Sequence, residues 1–493
     1  MRISSIKKQD ILACGLLAFL GFFLIYHFAE GTTPLISNYD AYDSGIFQTV
    51  GKLWSQGLIP YSEVFDHKGP LLFFIQRVAF SFENSTNALY CIESLFVCVS
   101  LWLFYAIFRL SKGVWISLAS CLLCIAFWIP IIEYGNLSEE YSMPFVLWAL
   151  YIQIKYLFQE KRMHKALWGF IYGICLGAVA LIRINNALII FVGIGVIGLQ
   201  LLCAKQYRVI MHNLWAFLLG ISMAFLPFVL YFAYHHALND MLYATFAFNV
   251  QYIQMTAVPF SLKELRNVLW FLWPAVVCVV FSVIHCIEKR IFPALFLGLG
   301  GIATLYFTLN GHRYAHYFML MLPLIALAFS FYPKTNHRVY QYLIMGIVAI
   351  VVAITVKTTL EVAPTQYIVY NQAVNEANNK HRLQWQSVID LIPKEERNQV
   401  ATMGLSSLDT LLFTHTDLVP SGRYIILMEW HAKVAPHILK SYINFLKSEK
   451  AKWIIVKEKG LNNKELIDTL HKHYQCVRIV DVKNESVELY NLK

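Results

Sequence analysis

The sequence predicts an α-helical polytopic membrane protein of about eleven transmembrane helices, followed by a C-terminal extracytoplasmic α/β domain. Three observations carry that prediction. Only 14% of the 493 residues are charged, against roughly 25% in an ordinary soluble domain, while 58% are hydrophobic and the mean hydropathy is +0.53. Apolar runs recur at lengths near the ~20 residues that a helix needs to cross a hydrocarbon layer of about 30 Å, and they lack the strict alternation of a membrane β-barrel. Beyond residue 357 that character stops, and short apolar stretches alternate with amphipathic ones.

In order, the apolar runs cover 11–28, 87–109, 114–133, 141–158, 167–184, 187–203, 213–234, 266–287, 291–309, 315–332 and 340–357. An odd number of crossings puts the two termini on opposite sides. With the N-terminus inside, fifteen lysines and arginines fall on cytoplasmic segments, among them Lys7, Lys8, Arg109, Lys112 and Lys205, against seven on outward segments before the tail. The positive-inside bias therefore makes the N-terminus cytoplasmic and the tail extracytoplasmic. "LLFFIQRVAF", residues 71–80, is too short to span, is broken by Gln76 and Arg77, and reads as interfacial or re-entrant. The first run lacks a clear small-x-small cleavage site after it and reads as an anchor.

The predicted domains are 1–357, the transmembrane part, with external loops 29–86 and 235–265, and 358–493, the soluble part. "ALNDMLYATFAFNVQYIQM" in the second loop has the helical spacing of a segment lying in the membrane interface. In the tail, "QVATMG", "RYIILM", "KWIIVKE", "YQCVRIVD" and "VELYNL" alternate with amphipathic helices such as "APHILKSYINFLK" and "NKELIDTLHKHY", as in a small α/β sheet. Nine of ten cysteines lie in or beside apolar helices and only Cys476 lies in the tail, which excludes a disulfide within the tail. The net charge of +10 divides into +8 before residue 358 and +2 after it, and nothing resembles a basic nucleic-acid face.

Charge in such a chain is informative, because an unpaired Asp or Lys at the bilayer centre costs about 2.5–3.5 kcal/mol on insertion scales. In the topology above, Asp40, Asp43, Glu63, Asp66, His67, Lys68, Glu139, Glu140, Arg183, Arg313 and His316 all lie at external helix ends or in external loops. Acids and bases gathered on one rim suit two linked tasks. A carboxylate takes the proton of a hydroxyl, and lysine or arginine holds a phosphate. Sugar transfer from a lipid phosphate needs both, since negative charge grows on the departing phosphate oxygen.

Four motifs then resemble one family. "YDSGIFQTVGKLWSQGLIPYSEVFDHKGP", "GNLSEEYSMP", "LIRINNA" and "GHRYAHYFMLMLP" look like the external-loop motifs of bacterial GT-C glycosyltransferases of the protein-mannosyltransferase and aminoarabinose-transferase type, which use polyprenyl-phosphate sugars. The resemblance covers roughly residues 10–357. It implies a catalytic base at Asp43, with Asp40 its neighbour, and an assisting acid at Glu139 or Glu140. It places Lys68 of "HKGP" on the donor phosphate, although the family form is more often Lys-Pro-Pro, and adds Arg183, Arg313, His316 and Tyr317 as further phosphate contacts. It implies inversion at the anomeric carbon, no required cofactor, an extracytoplasmic glycan, lipid or protein acceptor, and residence in the bacterial cytoplasmic (inner) membrane.

Other roles stay open for the same residues. Asp43 suits a helix N-cap, Glu139 and Glu140 suit the first turn of a helix, and Lys68 suits snorkelling at the interface. Asp66 and His67 form either a local turn network or, with a third ligand, a divalent metal site. Trp430, His431 and Trp453 are candidates for stacking on sugar rings or for the tail's core. A transporter or flippase of lipid-linked saccharide is the alternative function; it commonly has repeated halves and a midplane site, neither of which the sequence displays. A non-catalytic wall-binding scaffold is the third.

Overall fold

The computed structural model describes residues 8–39, 42–157, 163–256, 268–310, 314–333, 338–426, 429–457 and 463–493. The helices are α1 (Lys8–Phe28), α2 (Tyr42–Ser55), α3 (Pro70–Ala79), α4 (Ser85–Arg109), α5 (Val114–Trp128), α6 (Ser138–Leu157), α7 (Ala166–Arg183), α8 (Leu188–Cys203), α9 (Tyr207–Tyr234), α10 (Leu238–Leu242) and α11 (Phe248–Thr256). They continue with α12 (Trp273–Ile287), α13 (Ile291–Leu309), α14 (Leu322–Ser330), α15 (Arg338–Gln366), α16 (Gln372–Ile389), α17 (Leu411–Thr414), α18 (Glu429–Val434), α19 (Pro436–Lys447) and α20 (Lys464–His473).

Among the described residues, each of the eleven apolar runs is mostly helical. Among the described residues, seven helices are long and apolar enough to cross a membrane: Lys8–Phe28, Ser85–Arg109, Val114–Ile131, Ala166–Cys203, Tyr207–Tyr234, Ile291–Leu309 and Arg338–Gln366. The 38-residue stretch Ala166–Cys203 holds two of the runs, α7 and α8, joined by a 3-10 turn at Ile184–Ala187. The remaining runs give α6, which carries Glu139, Glu140 and Lys155, the 15-residue α12, and a 3-10 segment leading into α14.

The chain folds into two compact units. The first comprises Met1–Ala29, Tyr90–Pro227 and Ala257–Ile368. Its core is apolar and fully packed around Phe104, Phe108, Trp128, Leu147 and Leu324. Several polar side chains of this unit are paired: Asp10 accepts from Arg109 at 2.9 Å and from the Tyr105 hydroxyl at 2.7 Å, and the Gln153 amide donates to the Ile190 carbonyl at 3.1 Å. In contrast, Trp215, Leu219, Met223 and Leu226 of α9 are exposed, the composition of a face turned to hydrocarbon.

The second unit comprises Glu30–Leu89, Phe228–Thr256 and Val369–Lys493. These are close to the three segments that the sequence sets outside the apolar runs, and they pack together as one body. Its sheet holds β1 (Val400–Met403), β2 (Trp453–Val456), β3 (Tyr474–Val482) and β4 (Glu485–Leu492) in the order β1-β2-β4-β3. β1 and β2 are parallel, with α19 in the connection between them, and the other neighbours are antiparallel. Lys483 and Asn484, at φ of 55° and 60°, make the tight left-handed turn of the β3–β4 hairpin. α16 starts at Asn371, whose side chain accepts the amides of Ala373 and Val374.

Two expectations change in this unit. "RYIILM" forms no strand over its described residues, 423–426; it runs beside β1, tied by the Thr402 hydroxyl donating to the Ile425 carbonyl at 2.8 Å instead of by a ladder. "ALNDMLYATFAFNVQYIQM" is helical as its spacing predicts, but a π-helical turn at Tyr243–Ala247 separates α10 from α11.

Candidate active site

The predicted residues form two clusters, one in each unit; Asp40 and Arg313 lie outside the described residues. In the second unit, α2 carries Asp43 in its first turn, one residue into the helix, so its carboxylate is not the N-cap that the sequence allowed, although an acid there still suits the helix dipole. The Lys68 ammonium lies 4.0 Å from Asp43 Oδ2, with the Asp43 side chain 38% exposed and that of Lys68 only 11%.

The segment before Lys68 is held by local chemistry. Tyr61 adopts φ 72°, its amide donates to the Val64 carbonyl at 2.7 Å, and its buried hydroxyl donates to the Lys68 carbonyl at 2.8 Å. Asp66 Oδ1 accepts the Lys68 amide at 2.9 Å, the two-residue loop-back typical of aspartate. Asp66 is buried; desolvation raises its carboxyl above the usual range, with Lys68 opposing. "HKGP" then resolves into a helix start: Gly69 is the extended cap and Pro70 stands in the first turn of α3, where its missing N–H costs nothing. The Lys68 ammonium contacts His67 Nε2 at 3.3 Å and lies 5.7 Å from the centre of the Phe47 ring.

In the first unit the acids of "GNLSEEYSMP" follow a sharp turn. Glu133, Gly135 and Asn136 have φ of 51°, 71° and 56°. A Cβ at Gly135 would meet Ala29 Cβ at 2.4 Å and Glu93 Oε1 at 2.8 Å, so only glycine fits. The turn delivers Glu139, 4% exposed, into direct contact with the Arg183 guanidinium, while the Ser138 hydroxyl donates to Glu139 at 2.8 Å. Arg183 ends α7, with extended φ and ψ of −161° and 107° as the chain leaves the helix, and its guanidinium lies 4.4 Å from the centre of the Tyr317 ring. Asn186 of "LIRINNA" reaches the Ser138 carbonyl at 3.3 Å and the Ser142 hydroxyl at 3.0 Å. That motif thus pins the start of α6.

His316 Nδ1 contacts Glu133 Oε2 at 2.7 Å, and Glu133 Oε1 accepts the Ala315 amide at 2.8 Å. Glu140 accepts the Leu137 amide at 2.9 Å, and Glu93 accepts that of Asn136 at 2.7 Å. Glu133 and Glu93 are the residues that sequence reasoning missed. Their signal was present, an acid isolated in an apolar run, "IPIIEYG" for one and "YCIESLF" for the other. Among the described residues no group of three or more His, Cys, Asp or Glu is arranged to hold a metal ion.

No family model matches the chain, and no curated protein resembles it in sequence. Its architecture is nevertheless found in solved structures. The archaeal oligosaccharyltransferase AglB from Archaeoglobus fulgidus, solved with an inhibitory peptide and a dolichol-phosphate, matches with a TM-score of 0.56 and 12% identity over 91% of this chain and 69% of that one. The chain has the GT-C fold. ArnT from Cupriavidus metallidurans in the apo state matches with a TM-score of 0.52 and 11% identity over 97% of both chains. These structural neighbours are GT-C glycosyltransferases, the family that the four sequence motifs resemble.

Proposed function

We propose that this GT-C protein is a membrane glycosyltransferase that moves one sugar from a polyprenyl-phosphate carrier to a hydroxyl acceptor on the extracytoplasmic side of the cytoplasmic membrane, with Asp43 as the base. The observation that carries the reading is the Asp43–Lys68 pair within a GT-C fold. A partly exposed ion pair at 4.0 Å contributes about 0–1 kcal/mol, so little free energy holds the Asp43 carboxylate to Lys68 and away from a substrate hydroxyl. Glu139 is bound differently. Its buried carboxylate is in contact with Arg183, and separating such a pair costs about 3–5 kcal/mol, which suits a fixed electrostatic element better than a proton acceptor.

In the proposed step the acceptor hydroxyl gives its proton to Asp43 as its oxygen bonds to the anomeric carbon on the face opposite the phosphate. The bond from that carbon to the phosphate oxygen breaks, and its electron pair leaves with polyprenyl phosphate. The Lys68 ammonium, just ahead of the positive end of α3, is assigned to the growing phosphate charge. The dolichol-phosphate in the AglB structure supports a lipid-phosphate donor. The reaction is tested with purified protein and polyprenyl-phosphate sugars of several kinds: release of polyprenyl phosphate only when an acceptor hydroxyl is present is expected, and movement of intact lipid across a vesicle with no acceptor present would replace this reading by transport.

A further inference from the structure

Within the second unit the tail does more than follow the loop that bears Asp43 and Lys68; it grips that loop on both arms. On the first arm, α2 presents Gly45 and, two turns later, Lys52 to the tail. A Cβ at Gly45 would stand 2.2 Å from the Thr410 hydroxyl oxygen, so the helix and residue 410 are in contact through a glycine. The Lys52 ammonium donates to the main-chain carbonyls of Phe413, Thr414 and Thr416 at 2.8, 3.3 and 2.7 Å. Carbonyls at the end of a helix have no partner within it, and a lysine from a segment some 360 residues away in sequence satisfies those of Phe413 and Thr414 that end α17.

On the second arm, the Phe65 amide donates to the Arg423 carbonyl at 2.8 Å. The Phe65 ring packs against Tyr424 at 5.3 Å and Phe248 at 5.5 Å, and the Arg423 guanidinium pairs with Asp240 at 2.8 Å. Asn249 donates to the His67 carbonyl at 2.7 Å. Phe65 precedes Asp66 by one residue and Lys68 by three. The segment that leads to Arg423 and Tyr424 is itself tied to the sheet, because the Ser421 amide donates to the Val400 carbonyl of β1 at 2.8 Å.

We infer that the tail domain sets the separation of Asp43 and Lys68, with Lys52 and Arg423 as positioning residues: Lys52 acts on the first arm through the main-chain carbonyls it binds, and Arg423 on the second through its side-chain pair with Asp240, which holds the carbonyl that Phe65 bonds. The inference rests on the proposed roles of Asp43 and Lys68. Neither Lys52 nor Arg423 is assigned to a substrate. Their effect is on placement, and errors near 1 Å at a reacting group cost on the order of 100-fold in rate.

The test uses the full-length protein with Lys52→Met, Lys52→Arg and Arg423→Gln. Hydrogen–deuterium exchange is followed over residues 42–55 and 60–70, and steady-state turnover is followed with a polyprenyl-phosphate sugar and its acceptor. Lys52→Met is expected to speed exchange in 42–55 and to lower kcat by roughly 10- to 100-fold with a much smaller change in KM, while Lys52→Arg, which keeps a cationic donor, recovers part of both. Arg423→Gln keeps the main-chain bond to Phe65 and serves as the milder variant should Lys52→Met fail to fold; it is expected to speed exchange in 60–70. Unchanged exchange in a folded variant overturns the inference, as does faster exchange with unaltered kcat in a protein that Asp43→Asn inactivates. If Asp43→Asn leaves turnover intact, the functional reading fails instead, and the exchange measurement alone decides whether the tail holds the loop.

Discussion

Replacing Arg183 by methionine isolates the energetics of the first unit's charged cluster. Glu139 is 4% exposed and keeps the Ser138 hydroxyl when the guanidinium is removed. A buried carboxylate stripped of its cation costs about 3–5 kcal/mol, and loss of the contact between Arg183 and the Tyr317 ring adds ~0.5–1 kcal/mol. Neutralising the acid in the same chain, Glu139→Gln with Arg183→Met, removes the unpaired charge and leaves an amide able to bond to Ser138. The double variant is therefore more stable than Arg183→Met alone, with a coupling of about 2–3 kcal/mol, near the upper end for residues in contact. Denaturant unfolding of the four proteins of the cycle in detergent measures it. Losses that add within ~0.5 kcal/mol would show that the pair is solvated and screened, and the distinction drawn between a fixed Glu139 and an available Asp43 would then fall.

Other expectations are as direct. Gly135→Ala combines a left-handed backbone, about 1–3 kcal/mol, with overpacking against Ala29 and Glu93, about 1–3 kcal/mol, so it unfolds well before wild type in the same denaturant series; an unchanged midpoint contradicts the packing described. Lys68→Gln raises the KM for donor more than it lowers kcat if the ammonium binds phosphate in the ground state, and steady-state kinetics with varied donor separates the two. Burial lowers the Lys52 ammonium from its usual 10.5 to about 8, with Asp417 opposing. Because the folded value is the lower one, the folded protein binds fewer protons in this window; the contribution to stability is complete above the unfolded value and is lost as pH falls through about 8. Wild-type stability relative to Lys52→Met accordingly rises from about pH 8 to about pH 10, and a flat difference over that range refutes the burial argument.

How much of this was legible in the sequence depended on how local the signal was. Helix formation in the eleven apolar runs follows from hydropathy over a single window, and over the described residues each is mostly helical. The β3–β4 hairpin and the start of α3 are likewise written in a few adjacent residues, Lys483–Asn484 and Gly69–Pro70. Partners far apart in sequence were not legible. No local pattern shows that the Arg183 guanidinium contacts Glu139, 44 residues away in the chain, or that His316 pairs with Glu133. "RYIILM" has the composition of a strand, but side-chain bonding to β1 satisfies its carbonyl at Ile425. The second unit draws on three separated stretches, 30–89, 228–256 and 369–493, and no local pattern announces that Lys52 will close the end of α17.

The most direct test of the account is transfer of a labelled sugar from polyprenyl phosphate by wild type and by Asp43→Asn under saturating donor and acceptor. An amide cannot accept the hydroxyl proton, and loss of a general base lowers kcat by roughly 100- to 10,000-fold. The account predicts a loss of that size with donor binding retained; turnover by Asp43→Asn equal to wild type would contradict it.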